Sequence, residues 1–228
     1  MSVFVLGDPH LSTGVEKPMD VFGGWEHYTE QIVDHWNRLI AKEDTVVLPG
    51  DISWGMSLAE ALTDFQLLDG LPGKKILLKG NHDYWWDTVT KMERFFVENG
   101  IASIRFLHNN WYAVEGAVLC GTRGWVNDMK DEHNRKIVLR EAERLRLSLR
   151  SAGETPGERI AFLHYPPIYY GAQCDEIVAV LKEFSVSRCF YGHIHGDMRR
   201  FAFEGERDGI RYRLVSADAL GFCPLKIL

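Results

Sequence analysis

The chain has no paired cysteines. Cys120, Cys174, Cys189 and Cys223 are scattered and form no Cys-x-x-Cys. That spacing suits neither a structural zinc site nor a disulfide framework, so reduced, mostly buried thiols are expected. Long apolar runs are missing too. Val3 to Leu6 is apolar, but Asp8 and His10 follow at once, which is too short for a signal-peptide core, and no stretch approaches membrane-spanning length. A cytoplasmic protein with no membrane partner is the simplest expectation. Nor is there an excess of positive charge: 26 Lys and Arg face 32 Asp and Glu, a net charge of −6. This balance argues against a protein built mainly to hold duplex DNA, while leaving room for a local basic pocket. Repeats, low-complexity tracts and linkers are absent. So are His-Glu-x-x-His, Gly-x-Ser-x-Gly and Gly-x-x-x-x-Gly-Lys, the marks of other hydrolases and nucleotide-binding loops.

What is present is an ordinary globular composition over 228 residues, 46% hydrophobic, 25% charged and 12% aromatic. A chain of that content buries a core without staples, and one domain spanning residues 1–228 is expected. Its first half alternates strand and helix patterns. Val3 to Leu6, Thr45 to Leu48 and Ile76 to Leu78 read as short buried strands. Between and after them lie helical patterns at about Trp25 to Ala41, Ser57 to Asp69 and Trp86 to Glu98, the second with Ser57 and Glu60 in capping-box positions. After Gly100 short strand candidates follow one another at Ser103 to Leu107, Trp111 to Val114 and Val118 to Gly121, which predicts antiparallel pairing after a βαβαβ start. A charged amphipathic helix over about Arg135 to Arg150 packs on a sheet. Beyond it come a strand at Ile160 to Leu163, a helix at Asp175 to Phe184, and strands at Arg188 to Tyr191, Arg200 to Phe203 and Ile210 to Val215.

Five of these predicted strands run into side chains that bind metals: Asp8 and His10; Asp51; Asn81 and His82; His164; His193 and His195. Taken singly, each has an ordinary explanation. Gly50-Asp51 and Gly80-Asn81 are common turn dipeptides, and a lone histidine is more often a satisfied core residue. The ordered set is different, because parallel strands put their C-terminal ends along one sheet edge where distant residues converge. Asp8/His10 and His193/His195 are each one residue apart, so extended geometry would turn both members of a pair to one side. Imidazole, carboxylate and amide donors suit divalent Mn, Fe, Zn, Co or Ni, with Mn favoured. There are too many for one tetrahedral zinc. They fit two ions roughly 3.5–4 Å apart, with Asp51 as the natural bridge.

At these residues the sequence resembles the calcineurin-like metallophosphoesterase superfamily. Asp-x-His, Gly-Asp, Gly-Asn-His-Asp, His and Gly-His-x-His occur in full and in order between Asp8 and His195. Gly50-Asp51-Ile52-Ser53-Trp54 brings it nearer to a bacterial type of phosphoesterase. The resemblance implies an α/β fold, a four-layer α/β/β/α sandwich with two mixed β-sheets. It also implies that Asp8, His10 and His195 hold one ion, that Asn81, His164 and His193 hold the other, and that Asp51 bridges them. The implied activity is hydrolysis of phosphate esters by in-line attack of a hydroxide between the two ions. His82 is implied to face the leaving group as a general acid, with Asp83 bonded to the far ring nitrogen. Asp83 as the cap of the following helix is the plainer reading of that residue.

Arg123, in Gly121-Thr122-Arg123-Gly124-Trp125, follows a strand and either reaches a substrate phosphate or is structural. Trp54, Trp85, Trp86, Tyr169 and Tyr170 lie near motif residues and either line a pocket for a flat group or pack. Arg199 and Arg200 either attract an anion or form a solvated pair. The expected partner is a phosphorylated small molecule or nucleotide. A nuclease or cyclic-nucleotide phosphodiesterase fits the same metal core. A non-catalytic protein-binding scaffold would be expected to have lost ligands or His82, and none is missing.

Overall fold

A computed structural model describes residues 1–228. Its strands alternate faces with period two, and that alternation builds the layers. In β1 (Val3–Val5) and β2 (Thr45–Pro49), Phe4, Val46 and Leu48 face helices α1 (Tyr28–Leu39), α2 (Leu62–Gly70) and α3 (Val89–Glu98). Val3, Val5 and Val47 face the other way, into a layer shared with the second sheet. β3 (Lys74–Leu78) continues the pattern, with Leu77 toward the helices and Ile76 and Leu78 toward the shared layer. In the second sheet, β6 (Ala117–Thr122) and β7 (Glu158–Leu163) send Leu119, Ile160 and Phe162 into that layer. They send Cys120, Ala161 and Leu163 toward α4 (Glu132–Ser151) and α5 (Asp175–Glu183). The outcome is the four-layer α/β/β/α sandwich with two mixed sheets.

The first sheet runs β13-β1-β2-β3-β4, where β4 is Ile104–Phe106 and β13 is Leu225–Lys226. The second runs β11-β12-β10-β7-β6-β5, with β5 at Tyr112–Val114, β10 at Arg188–Tyr191, β11 at Gly205–Arg207 and β12 at Ile210–Leu214. The predicted switch to antiparallel pairing after Gly100 is confined to edges. β4 pairs parallel with β3, β6 pairs parallel with β7, and within these two sheets only the edge strands β5, β11 and β13 are antiparallel to their neighbours. The connection from β5 to β6 is a hairpin, but the stretch before it closes the first sheet and the stretch after it opens the second.

Several boundaries also move. Ser57 and Glu60 close a turn one step ahead of α2: Ser57 Oγ accepts the Glu60 N–H at 3.3 Å, and Glu60 Oε2 accepts that of Met56 at 2.8 Å. The strand expected at Arg200–Phe203 is instead the end of a 3-10 helix, Gly196–Phe201, and the residues after it; the spacing of Phe201 and Phe203 imitates strand alternation. The hairpin β8 (Ile168–Tyr169) and β9 (Ala172–Gln173), like β13, is too short to carry a period and has no counterpart among the predicted strands. The parallel strands β1, β2 and β3 end at the same edge as β7 and β10. There the sheets are tied by a parallel bridge from Gly7 to Ser216, with Gly7 N–H donating to Val215 O at 2.7 Å.

Candidate active site

The turns that carry the candidate ligands leave their strands through unusual backbone. Asp8 (φ 53°), His10 (φ 46°), Asp51 (φ 51°) and His193 (φ 72°) all lie in the left-handed region, at a cost of about 1–3 kcal/mol each for a residue with a Cβ. Asp8 and His10 therefore converge through a tight turn and not, as the extended geometry predicted, by strand alternation. Gly80 and Gly192 allow close approach: a Cβ on Gly80 would overlap the Asp51 carboxylate, and one on Gly192 would overlap that of Asp8.

Two groups result. Donor atoms of Asp8, His10 and His195 lie within 4.8 Å of one another, as do those of Asp51, His164 and His193. His193 and His195, which extended geometry would turn to one side and which the resemblance assigns to different ions, stand in different groups. Asp51 Oδ2 stands between them, 3.8 Å from His10 Nε2 and 3.6 Å from His164 Nε2. Asn81 joins the second group with Oδ1 2.7 Å from His164 Nε2. Across the first group, His10 Nε2 and His195 Nε2 are 3.4 Å apart.

The electrostatics match a cation-binding donor set. Burial pushes His10, His164 and His193 down to about 3, so these imidazoles are neutral and keep a lone pair for a metal. His164 Nδ1 faces Pro49 O at 3.2 Å, which places its proton there and leaves Nε2 bare toward Asn81 and Asp51. Asp8 and Asp51 are both buried and close. Burial, then the Asp51 charge, raises the Asp8 carboxyl to about 7 against the pull of His195 and of the His193 N–H. Burial also opposes protonation of His195, but its hydrogen bond to Asp218 and the charges of Asp8, Asp218 and Asp51 outweigh it and raise the imidazole. Uncompensated buried carboxylates opposite neutral imidazoles are what divalent ions would satisfy, so the residues fit the metals the sequence implies.

Asp83 does not bond the His82 ring, nor does it cap α3, whose N-cap is Thr88. Its buried carboxylate turns the opposite way. It accepts N–H groups from Asp51 (2.9 Å), Ile52 (2.8 Å), Ser53 (3.4 Å) and Gly80 (2.7 Å), and Nε1–H of Trp85 (3.0 Å). It therefore clamps the Asp51 turn to the Asn81 turn. His82 is half-buried; its N–H donates to Asp51 Oδ1 at 2.8 Å and its ring lies 4.6 Å from Trp54. Trp54 also stacks on His10 at 5.0 Å. Trp85 and Trp86 pack into the core with Phe65 and Phe106.

Arg123 reaches toward buried Glu141 (3.7 Å) and lies over the Trp125 ring at 4.5 Å. Arg199 donates to the carbonyls of Gly196 and Asp218, while Arg200 lies over Phe201. Two positioning carboxylates escaped the sequence reading. Asp218 Oδ1 accepts Nδ1–H of His195 at 2.9 Å. Asp64, fully buried, accepts from Thr13 N–H (2.8 Å) and from the hydroxyls of Thr13 and Ser53 (2.5 Å for Ser53), tying the loop after His10 to the Asp51 turn. Neither sits in a motif; for Asp64, a lone acidic residue on the core face of a helix was the available sign.

A family model for calcineurin-like phosphoesterases matches residues 1–197. The chain belongs to that family. It is accordingly a metal-dependent phosphoric ester hydrolase, and divalent ions are the family's cofactors. No curated protein matches the chain. Among solved structures it is similar to a phosphopantetheinyl hydrolase from Mycobacterium tuberculosis, with 12% identity, 100% of this chain and 95% of that one covered, and a TM-score of 0.59. It is also similar to a protein of unknown function from Aquifex aeolicus (15% identity, 99% and 95% covered, TM-score 0.52). A protein from Thermus thermophilus matches at 14% identity, with 85% and 81% covered and a TM-score of 0.56. At these identities the likeness is one of fold. No helix is long and apolar enough to cross a membrane.

Proposed function

We propose that the chain hydrolyses phosphate esters of a small molecule or nucleotide at a site for two divalent ions. Asp8, His10 and His195 would hold one, Asn81, His164 and His193 the other, and Asp51 both. The observation that carries this reading is Asp51 Oδ2, which faces a ring nitrogen of each group at 3.8 and 3.6 Å. When bound, such ions bring the pKa of a water near neutrality and offset the charge developing on phosphoryl oxygens. In the overall reaction the ester P–O bond breaks, the oxygen of water joins phosphorus, and one proton passes to the departing alkoxide. His82 supplies that proton, its ring steadied by Trp54 instead of Asp83. Arg123, turned toward Glu141 and Trp125, steadies the wall of the site instead of gripping the phosphate. The share of carboxylate and amide oxygen among the donors favours manganese within the Mn, Fe, Zn, Co and Ni series. Four unpaired thiols, three of them buried, suit a cytoplasmic setting.

The test is turnover of paired phosphomonoester and phosphodiester substrates by protein of defined metal content. Activity on at least one class is expected. Two ions per chain with activity on neither would favour the scaffold. Asp51→Asn should abolish metal-dependent turnover, and near-normal turnover of that variant at full loading would remove the bridging role.

A further inference from the structure

Beside His193 and His195 a cavity of about 630 Å³ opens, within the ordinary size range for small-molecule sites. The loops that follow β6 and β7, the β8–β9 hairpin and the 3-10 helix after β10 form its walls. The lining is largely apolar and aromatic, with Trp125, Tyr165, Pro166, Tyr169, Tyr170 and Met198 among its residues. The Tyr165 ring lies 4.2 Å from that of His193, so this wall continues directly into the second ligand group. Of the twelve large hydrophobic side chains left open to solvent, three border this one cavity: Tyr170 (65% exposed), Met198 (47%) and Val126 (40%). Apolar surface gathered at a pocket mouth marks a binding site more strongly than the same residues scattered.

Charge narrows the ligand further. No Lys or Arg lines the cavity; the charged side chain on its wall is Asp128. The cations nearby face protein groups. Arg123 lies over Trp125 beside Glu141, Arg199 bonds two carbonyls, and Arg200 lies over Phe201. Lys79, Arg123 and Arg144 line a separate space with Glu141, but it measures only about 20 Å³. A leaving group bearing a second phosphate would therefore be desolvated without a counter-charge.

Resting on the two-metal reading above, we propose that this cavity seats the leaving alcohol. The preferred substrate is a phosphate ester of an uncharged, flat, mainly apolar alcohol, not one carrying a further phosphate.

The experiment compares naphthylmethyl phosphate with methyl phosphate, both alkyl leaving groups, and with a naphthylmethyl ester bearing a second phosphate on the ring. Methyl diesters replace them if the metal core turns over diesters. In parallel, binding of naphthylmethanol to metal-stripped protein is followed by tryptophan fluorescence. The expected result is a higher kcat/KM for the naphthylmethyl ester than for either comparator. Tyr170→Ala should lower the naphthylmethyl-over-methyl ratio by roughly tenfold, the scale of one aromatic contact, and weaken alcohol binding in step. Val126→Lys should raise relative use of the doubly phosphorylated ester. Turnover of methyl phosphate with no naphthylmethyl preference and no alcohol binding would overturn the pocket assignment while leaving the hydrolase reading intact. Alcohol binding with no ester hydrolysed at full metal loading would instead overturn the hydrolase reading, and the leaving-group role with it.

Discussion

The two sheets meet at one edge of the molecule but bring different materials to it. The first delivers Asp8, His10, Asp51 and Asn81 on turns after β1, β2 and β3. Two of those turns share an acceptor, because the Asp83 carboxylate takes backbone N–H groups from residues 51–53 and from Gly80. The second sheet delivers three imidazoles after β7 and β10, aimed by single contacts such as Pro49 O to His164 and Asp218 to His195. It also contributes the apolar cavity. The charge-bearing half is thus built as one interlocked unit, and the imidazole half ligand by ligand. The physical reason is desolvation: buried carboxylates that approach each other must be over-determined by their surroundings, whereas a neutral imidazole needs only its tautomer and ring plane fixed.

Breaking the clamp should therefore have the largest effect. Asp83→Ala orphans several buried N–H groups at once, and a stability loss of about 3 kcal/mol or more is expected, together with loss of both ions. Denaturant midpoint and metal content measure it; a variant that keeps its midpoint and its metals would show that the first-sheet turns do not depend on their shared acceptor. Next comes His82, which belongs to the clamped half by sequence but stands in neither candidate metal group. His82→Ala should keep both ions and lose about 10²–10⁴-fold in turnover of esters with poor leaving groups. The loss should shrink as the leaving group improves, and a uniform loss across the series would argue against proton donation.

On the imidazole half, Asp218→Asn should be narrower. It should weaken one ion, that of Asp8, His10 and His195, by about 10–100-fold, with the other retained. Calorimetric titration of stripped protein separates the two; equal weakening of both would mean that the halves are coupled more tightly than their contacts indicate. The smallest effect tests a buried charge with no ligand to serve. Lys75, at the start of the same β3 that leads to Asn81, is buried with its ammonium on Leu71 O and Ser103 Oγ. Burial lowers it to about 8 despite the Asp69 charge. Between that value and the unfolded value of 10.5 the unfolded chain binds more protons, so stability should rise with pH through this window. Lys75→Met should flatten the rise in denaturant midpoint between pH 8 and 10.5.

Much of this arrangement was legible in the residues. Continuous apolar runs at Val3 to Leu6, Thr45 to Leu48 and Ile160 to Leu163 announced strands buried on both faces, which is what a four-layer sandwich requires. Motif order placed every ligand candidate at a strand end. Other features were not local and left no trace in a window of sequence. The left-handed backbone at Asp8, His10, Asp51 and His193 is one of them, a conformation that side-chain chemistry does not signal. Adjacency, which is visible in sequence, suggests Asp83 as an orienter of its neighbour, whereas three of its five donors, the N–H groups of residues 51–53, lie some thirty positions away.

The sequence by itself thus determined the layers and the chemical identity of the donors, because both follow from local pattern and side-chain type. Tertiary structure alone decided the distances at which the donors gather around Asp51, which further carboxylates position them, and that a largely apolar cavity without Lys or Arg opens beside them. Those outcomes depend on contacts between turns of different strands and sheets, whose geometry exists only once the sheets have packed.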